Sequence, residues 1–166
     1  LSAAAGQAAA ISQALTPGAT VSSIIDAALN GTRLGEEIGK KLARETSHRY
    51  PLPNLEIALE LAEKAKDPFE AGNLIRRCIG SHLHVAETLA TALGIFVAAK
   101  GDLQTSIIAA VNNGGDTDTI ASIVGALTGA LNGIQAVPKE WVKTVEEFNQ
   151  LNFEQMADAF NVLVNK

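Results

Sequence analysis

Asn112-Asn113-Gly114-Gly115-Asp116-Thr117-Asp118-Thr119, running directly into Ile120-Ala121-Ser122-Ile123-Val124-Gly125-Ala126-Leu127-Thr128-Gly129-Ala130-Leu131, is the stretch on which the fold turns. Paired Asn and paired Gly tolerate backbone angles that other residues avoid, so 112–115 predicts a tight turn. Ile120 to Leu131 is helix-forming and apolar almost all round, the pattern of a helix set in the middle of a domain. Ala121, Gly125, Gly129 and Gly133 recur every four residues and form one stripe of small side chains. Glycine costs ~1 kcal/mol per helical site relative to alanine, so the stripe predicts the close approach of another backbone as its offset.

Outward from this stretch the chain is punctuated as a string of helices. Residues 2–15 are rich in alanine and end at Thr16-Pro17-Gly18; Thr20 caps a helix from Val21 to Leu29 that Asn30-Gly31 ends; a charged helix follows from Arg33 to Ser47. Tyr50-Pro51-Leu52-Pro53 predicts a turn or extended linker, after which Asn54 caps Leu55 to Lys66. Asp67-Pro68-Phe69-Glu70 has a cap, a proline at the first helical position and an acid three residues after the cap, which starts a helix to Ile79. Gly80-Ser81-His82-Leu83-His84 is a loop before an apolar helix from Val85 to Ala99; Lys100-Gly101 breaks it, and Asp102 caps the next, to Val111. Pro138 opens a helix around Trp141, and Asn152 with Gln155 makes a capping-box pattern for the last one.

The composition agrees with an all-α domain. Of the 166 residues 47% are hydrophobic and 19% charged, a globular balance with enough chain to bury a core, and clusters of strand-forming residues are nearly absent. A net charge of -5 argues against a general nucleic-acid binder and against attraction to anionic membrane. No apolar run reaches the ~18–20 residues of a transmembrane helix, and residues 1–15 lack the pattern of a signal peptide. The single cysteine, Cys78, excludes an internal disulfide; it carries no nucleophile signature, which predicts a buried structural thiol, and a reducing, cytoplasmic setting is the expectation. The chain starts at Leu1, within a helical pattern, and its one methionine is Met156, so it is expected to be a portion of something longer.

Chemistry concentrates at Asp116-Thr117-Asp118-Thr119. Carboxylates and hydroxyls are the oxygen ligands that hard cations such as Mg²⁺ take, and two carboxylates one residue apart can face two metals or bridge them. A cation also offsets the mutual repulsion of two adjacent acids. The plainer reading makes Asp116 or Asp118 a helix cap, although one such residue suffices for a cap. An EF-hand loop starting at Asp116 fails, since Ile120 and Ala121 stand where it needs an oxygen ligand and a glycine. A phosphatase of the haloacid dehalogenase type fails too, because its Asp-x-Asp follows a buried strand and here Asn112-Asn113-Gly114-Gly115 precedes. His82 and His84 have no Cys or third His near them, so a surface or hydrogen-bonding role is expected.

Gly114-Gly115-Asp116-Thr117-Asp118-Thr119 followed by Ile120-Ala121-Ser122-Ile123 resembles the C-terminal metal motif of the ADP-ribosylglycohydrolases. Glu87-Thr88-Leu89-Ala90-Thr91-Ala92-Leu93 is similar to the helix that precedes this motif, and Val137-Pro138-Lys139-Glu140-Trp141 to the Pro-x-x-Trp segment that follows it. The resemblance covers roughly residues 1 to 160 and implies an all-α orthogonal helical bundle, one domain over 1–166 that forms the C-terminal part of a longer one. It implies that Asp116, Asp118 and Thr119 are ligands of two Mg²⁺ (or Mn²⁺) ions, with Asp116 and Asp118 catalytic and one of them shared between the ions. Gly80, Ser81, Gly114 and Gly115 then line the ADP-ribose cleft. The activity implied is hydrolysis of the glycosidic bond between ADP-ribose and a protein side chain or small acceptor. Members also carry an Asp-Asp cluster near their N-terminus, and no adjacent Asp-Asp pair exists in this chain. The N-terminal half of the protein is therefore the implied partner. The contrasting expectation is a non-catalytic ADP-ribose-binding or structural protein of the same fold, as in the crystallin-like members.

Overall fold

The computed structural model describes residues 1–42 and 50–164, with the side chain of Val164 left aside. The described residues form nine α-helices and no strand, as the composition predicts: α1 Ser2–Ala14, α2 Val21–Leu42, α3 Pro51–Lys64, α4 Pro68–Cys78, α5 Val85–Ala98, α6 Leu103–Val111, α7 Thr117–Asn132, α8 Lys139–Asn149 and α9 Phe153–Val164. The chain divides into two compact units, Leu1–Ala136 and Val137–Lys166. No helix among the described residues is long and apolar enough to cross a membrane.

The first unit is built around α5. Every residue from Ala86 to Phe96 is buried, and α1, α3, α4, α6 and α7 all pack against this helix. Leu89, Leu93 and Phe96 join Ala10, Ile24, Ala28, Leu55 and Leu127 in one cluster; Ala92 and Ile95 join Ala109, Ala110, Ile120 and Val124 in a second. The central helix is thus α5 rather than α7. In α7 the residues Ile120, Val124, Leu127 and Thr128 are buried while its other faces are partly open. The small-residue stripe on α7 meets no backbone: a Cβ on Gly125 would touch only the Ile107 side chain at 3.8 Å, and one on Gly129 would find nothing within 4 Å.

Close helix approach occurs elsewhere. Asn30-Gly31 does not end a helix, and α2 runs unbroken from Val21 through the predicted gap to Leu42; residues 43–47 of the expected charged helix lie outside the described residues. Gly31 is one of the points of contact with α1, where a Cβ would stand 2.6 Å from the Ala5 carbonyl oxygen and 2.7 Å from the Ala9 Cβ. A helical glycine here serves packing, which overrides its tendency to stop helices.

Most predicted starts hold. Thr20 and Ser23 exchange side-chain to backbone bonds at 3.0 and 3.1 Å, Asp67 Oδ1 accepts from Glu70 N at 2.8 Å, and Asp102 Oδ1 accepts from Thr105 N at 2.8 Å. The exception is α3, which begins at Pro51 rather than after Asn54. Proline has no N–H to leave unsatisfied in a first turn, so 51–53 are helical. Asn54 instead donates from Nδ2 to the Ala86 carbonyl at 3.2 Å, tying α3 to α5. Cys78, the last residue of α4, is exposed rather than buried, because that helix turns Ile75 and Ala71 to the core and the face of Arg76, Arg77 and Cys78 to solvent.

In the second unit, α8 ends at Gln150, which takes a left-handed conformation with φ 56°. The Glu146 carbonyl accepts from Leu151 N at 3.0 Å, its carboxylate accepts from Phe153 N at 2.7 Å, and Asn152 Oδ1 caps α9 through Gln155 N at 2.8 Å.

Candidate metal and substrate site

The turn between α6 and α7 meets the loop between α4 and α5 at one edge of the first unit. Asn112 and Asn113 close α6, and Gly114 and Gly115 both take positive φ, 80° and 81°. Gly115 could not carry a side chain, since a Cβ would collide with the carbonyl and hydroxyl oxygens of Ser81. Two hydrogen bonds hold the loops together there: Asp116 N donates to the Ser81 carbonyl at 2.7 Å, and Ser81 Oγ donates to the Gly114 carbonyl at 2.9 Å. Within the turn itself, buried Asn113 donates from Nδ2 to the Gly114 carbonyl at 3.3 Å.

Asp116 stands at the N-cap of α7, yet its carboxylate accepts no backbone N–H of that helix. Its Oδ1 accepts the Thr119 hydroxyl at 3.0 Å instead. Asp116 is half-buried and Asp118 exposed. Asp118 is held below the ordinary carboxylate value, first by a hydrogen bond with the Asp116 side chain and then by the Thr119 backbone N–H.

These side chains border a cleft of about 500 Å³ lined by His82, Leu83, His84, Gly115, Asp116 and Asp118. A shallower depression on the other side of Asp118 is lined by Thr119, Ser122 and Ile123. The structure thus gathers Gly115, Asp116 and Asp118 at the cleft, with Thr119 hydrogen-bonded to Asp116 and lining the neighbouring depression. The other residues expected there are placed differently: Ser81 is fully buried with its hydroxyl engaged by Gly114, Gly80 lies against the Glu87 carboxylate, and exposed Gly114 lies beside Arg76. His84 has the hydrogen-bonding role expected of it, capping α5 through Nδ1, which accepts from Ala86 N at 3.3 Å.

Two contributors were not read from the sequence. Asn113 braces the turn, and Glu87, buried on the first turn of α5, accepts the His82 N–H at 3.0 Å through Oε2. The signal for Glu87 was present: it is the one charged residue in the apolar run from Val85 to Ala99.

The donor set on the acidic turn, two carboxylates and a hydroxyl, fits a hard divalent cation. It falls short of a complete centre: among the described residues no three His, Cys, Asp or Glu side chains are grouped to hold a metal ion. The chain can supply one side of such a site.

Comparison with known proteins bears on what that site belongs to. The chain is 34% identical over 74 residues to mouse ADP-ribosylhydrolase ARH3, covering 45% of this chain and 17% of that one. It is 30% identical over 118 residues to the ADP-ribosylarginine hydrolase Tri1 of Pseudomonas putida, covering 71% and 28%. It is 26% identical over 83 residues to the ADP-ribosyl-[dinitrogen reductase] glycohydrolase of Rhodospirillum rubrum, covering 50% and 28%. The chain therefore spans less than a third of the length of these relatives. No solved structure matches it. The sequence profile of the ADP-ribosylglycohydrolases matches residues 1–166, the whole of the chain, which belongs to that family.

Proposed function

We propose that the acidic turn is this chain's share of a dimagnesium centre in an ADP-ribosyl glycohydrolase, in which Asp116, Asp118 and Thr119 would be ligands. One observation carries this reading: the Asp116 side chain occupies the N-cap of α7 but accepts no N–H of that helix, and its carboxylate lies with Asp118 at the rim of the cleft and accepts the Thr119 hydroxyl. A carboxylate kept only as a cap would accept the N–H groups of the first turn. Mn²⁺ takes the same oxygen donors. When bound, such ions hold the ribose hydroxyls and orient a water beside the scissile bond.

The chain's own residues contribute in three ways. Asp118, favoured in its ionised form, sets negative charge beside a sugar on which positive charge develops as the glycosidic bond breaks. Gly115 leaves the backbone bare where it lines the cleft. His82, Leu83 and His84 supply the rest of the cleft's lining. The substrate class is an ADP-ribosylated protein side chain or a small ADP-ribose derivative, and the remaining metal ligands come from the N-terminal half of the protein.

Calorimetric titration of Mg²⁺ and of ADP-ribose, into this chain alone and with the N-terminal half supplied, tests the reading. Binding that is tight in the reconstituted protein and abolished by Asp118→Ala is the expected result. Absence of metal binding in both samples, with each folded, rejects the hydrolase; ADP-ribose binding without metal binding supports the non-catalytic alternative instead.

A further inference from the structure

The loop Gly80–His84 and the acidic turn are joined by two bonds made by Ser81, and Ser81 is itself bracketed from beneath. On its chain-preceding side, the Gly80 carbonyl accepts the Thr91 hydroxyl at 3.3 Å. On its following side, His82 N donates to Glu87 Oε2 at 3.0 Å. Glu87 and Thr91 are four residues apart and so lie on one face of α5, both buried. Gly80 takes φ 109° and rests on the Glu87 carboxylate so closely that a Cβ would collide with Oε2. A glutamate three residues after an N-cap ordinarily turns back to the cap residue's own N–H; here it reaches to His82, two residues before the cap at His84.

We infer that Glu87 is a positioning residue for the acidic turn, acting through Ser81 on Asp116. The buried, rigid α5 holds Glu87; Glu87 and Thr91 hold the peptide units on either side of Ser81; Ser81 holds Gly114 and the Asp116 N–H. Burying a carboxylate in an otherwise apolar helix is unfavourable unless its oxygens are hydrogen-bonded, and the bond that Glu87 accepts from His82 N serves the loop. The acidic turn has only exposed or half-buried residues between Gly114 and Thr119, so its placement depends on this contact more than on packing of its own side chains. The functional weight of that placement rests on the dimagnesium reading, while the linkage itself does not.

Amide hydrogen exchange on the full chain separates the two. Glu87→Ala is expected to raise the exchange rate of His82 N–H and, 29 positions beyond Glu87, of Asp116 N–H by roughly tenfold each, the scale of one lost hydrogen bond. Amides in the middle of α5 keep their protection. Glu87→Gln retains an acceptor oxygen without the charge and is expected to restore protection at both sites. Thr91→Val, which removes the other anchor with little change of shape, is expected to raise exchange at Asp116 as well. Unchanged Asp116 exchange in Glu87→Ala and Thr91→Val overturns the linkage. So does a failure of Glu87→Gln to restore protection, which would assign Glu87 a role through charge. Mg²⁺ titration of the same proteins, with the N-terminal half present, reports separately on the metal reading: if the unsubstituted protein binds no Mg²⁺, that reading fails and the exchange result stands.

Discussion

At the scale of single residues, Asp116 separates two roles that its position leaves confounded. A cap residue stabilises its helix, and replacing it with alanine typically costs about 1 kcal/mol. The Asp116 carboxylate meets only the Thr119 hydroxyl and the neighbouring Asp118. Asp116→Ala is therefore expected to change stability by no more than about 0.5 kcal/mol, as for a half-buried surface position whose side chain makes no cap or core contact. On the proposed reading it is expected to abolish Mg²⁺ binding in the reconstituted protein. Urea denaturation and calorimetry on one preparation check both halves of this statement, and a loss of stability with metal binding intact would return Asp116 to a capping role. Asp102 supplies the contrast, since it does cap its helix. Its carboxylate is held below the ordinary value of 3.8, first by the Thr105 side chain and then by the Thr105 N–H. A depressed native value means that the charged cap stabilises fully above the unfolded-state value and loses this effect as pH falls through the native one. Asp102→Ala should cost about 1 kcal/mol near neutrality, and the gap from the unsubstituted chain should narrow in acid below that range. An equal gap at both pH values would refute the charged-cap account.

At the scale of elements, glycines that look alike in sequence do opposite things. Gly31 sits after an asparagine in what reads as a helix stop, and Gly129 sits in a stripe that reads as a packing surface. The structure inverts the two: Gly31 is wedged against Ala5 and Ala9, and Gly129 faces open space. Helix punctuation and caps were legible because Asp67, Asp102 and Thr20 act within one turn of their own positions. What a helical glycine touches was not legible, because its neighbour lies on another helix and the period alone does not name that helix. Opposite stability effects follow. Gly31→Ala is expected to destabilise by about 1–3 kcal/mol through overpacking. Gly129→Ala is expected to stabilise by up to ~1 kcal/mol, since alanine is the better helix former and nothing stands in its way. Thermal unfolding of the two variants beside the unsubstituted chain measures the signs; destabilisation by Gly129→Ala would show that its face is covered in solution.

For the molecule as a whole, the sequence located the acidic turn better than it located the centre of the fold. The turn was visible because its oxygen-bearing side chains are contiguous, running from Asp116 to Thr119. Glu87 and Ser81 were harder to read, since they reach the turn across 29 and 35 positions and no local pattern joins them. Ile120 to Leu131 reads as the central helix because it is long and uncharged, but many of its apolar positions are alanine and glycine, which bury little surface. Val85 to Ala98 carries Leu89, Leu93, Ile95 and Phe96, and these larger side chains set the middle of the fold. Every buried apolar side chain of the described residues lies between Ala3 and Leu127, inside the unit Leu1–Ala136, and so do the acidic turn, the cleft and the Glu87–Ser81 linkage. The buried apolar side chains of the described residues are thus gathered in the unit Leu1–Ala136, which is of a size that commonly folds cooperatively. A chain ending at Ala136 is expected to unfold in a single thermal transition by circular dichroism and to keep the exchange protection of α5. A broad, non-cooperative melt with α5 unprotected would show instead that the core of the first unit depends on the thirty residues from Val137 to Lys166.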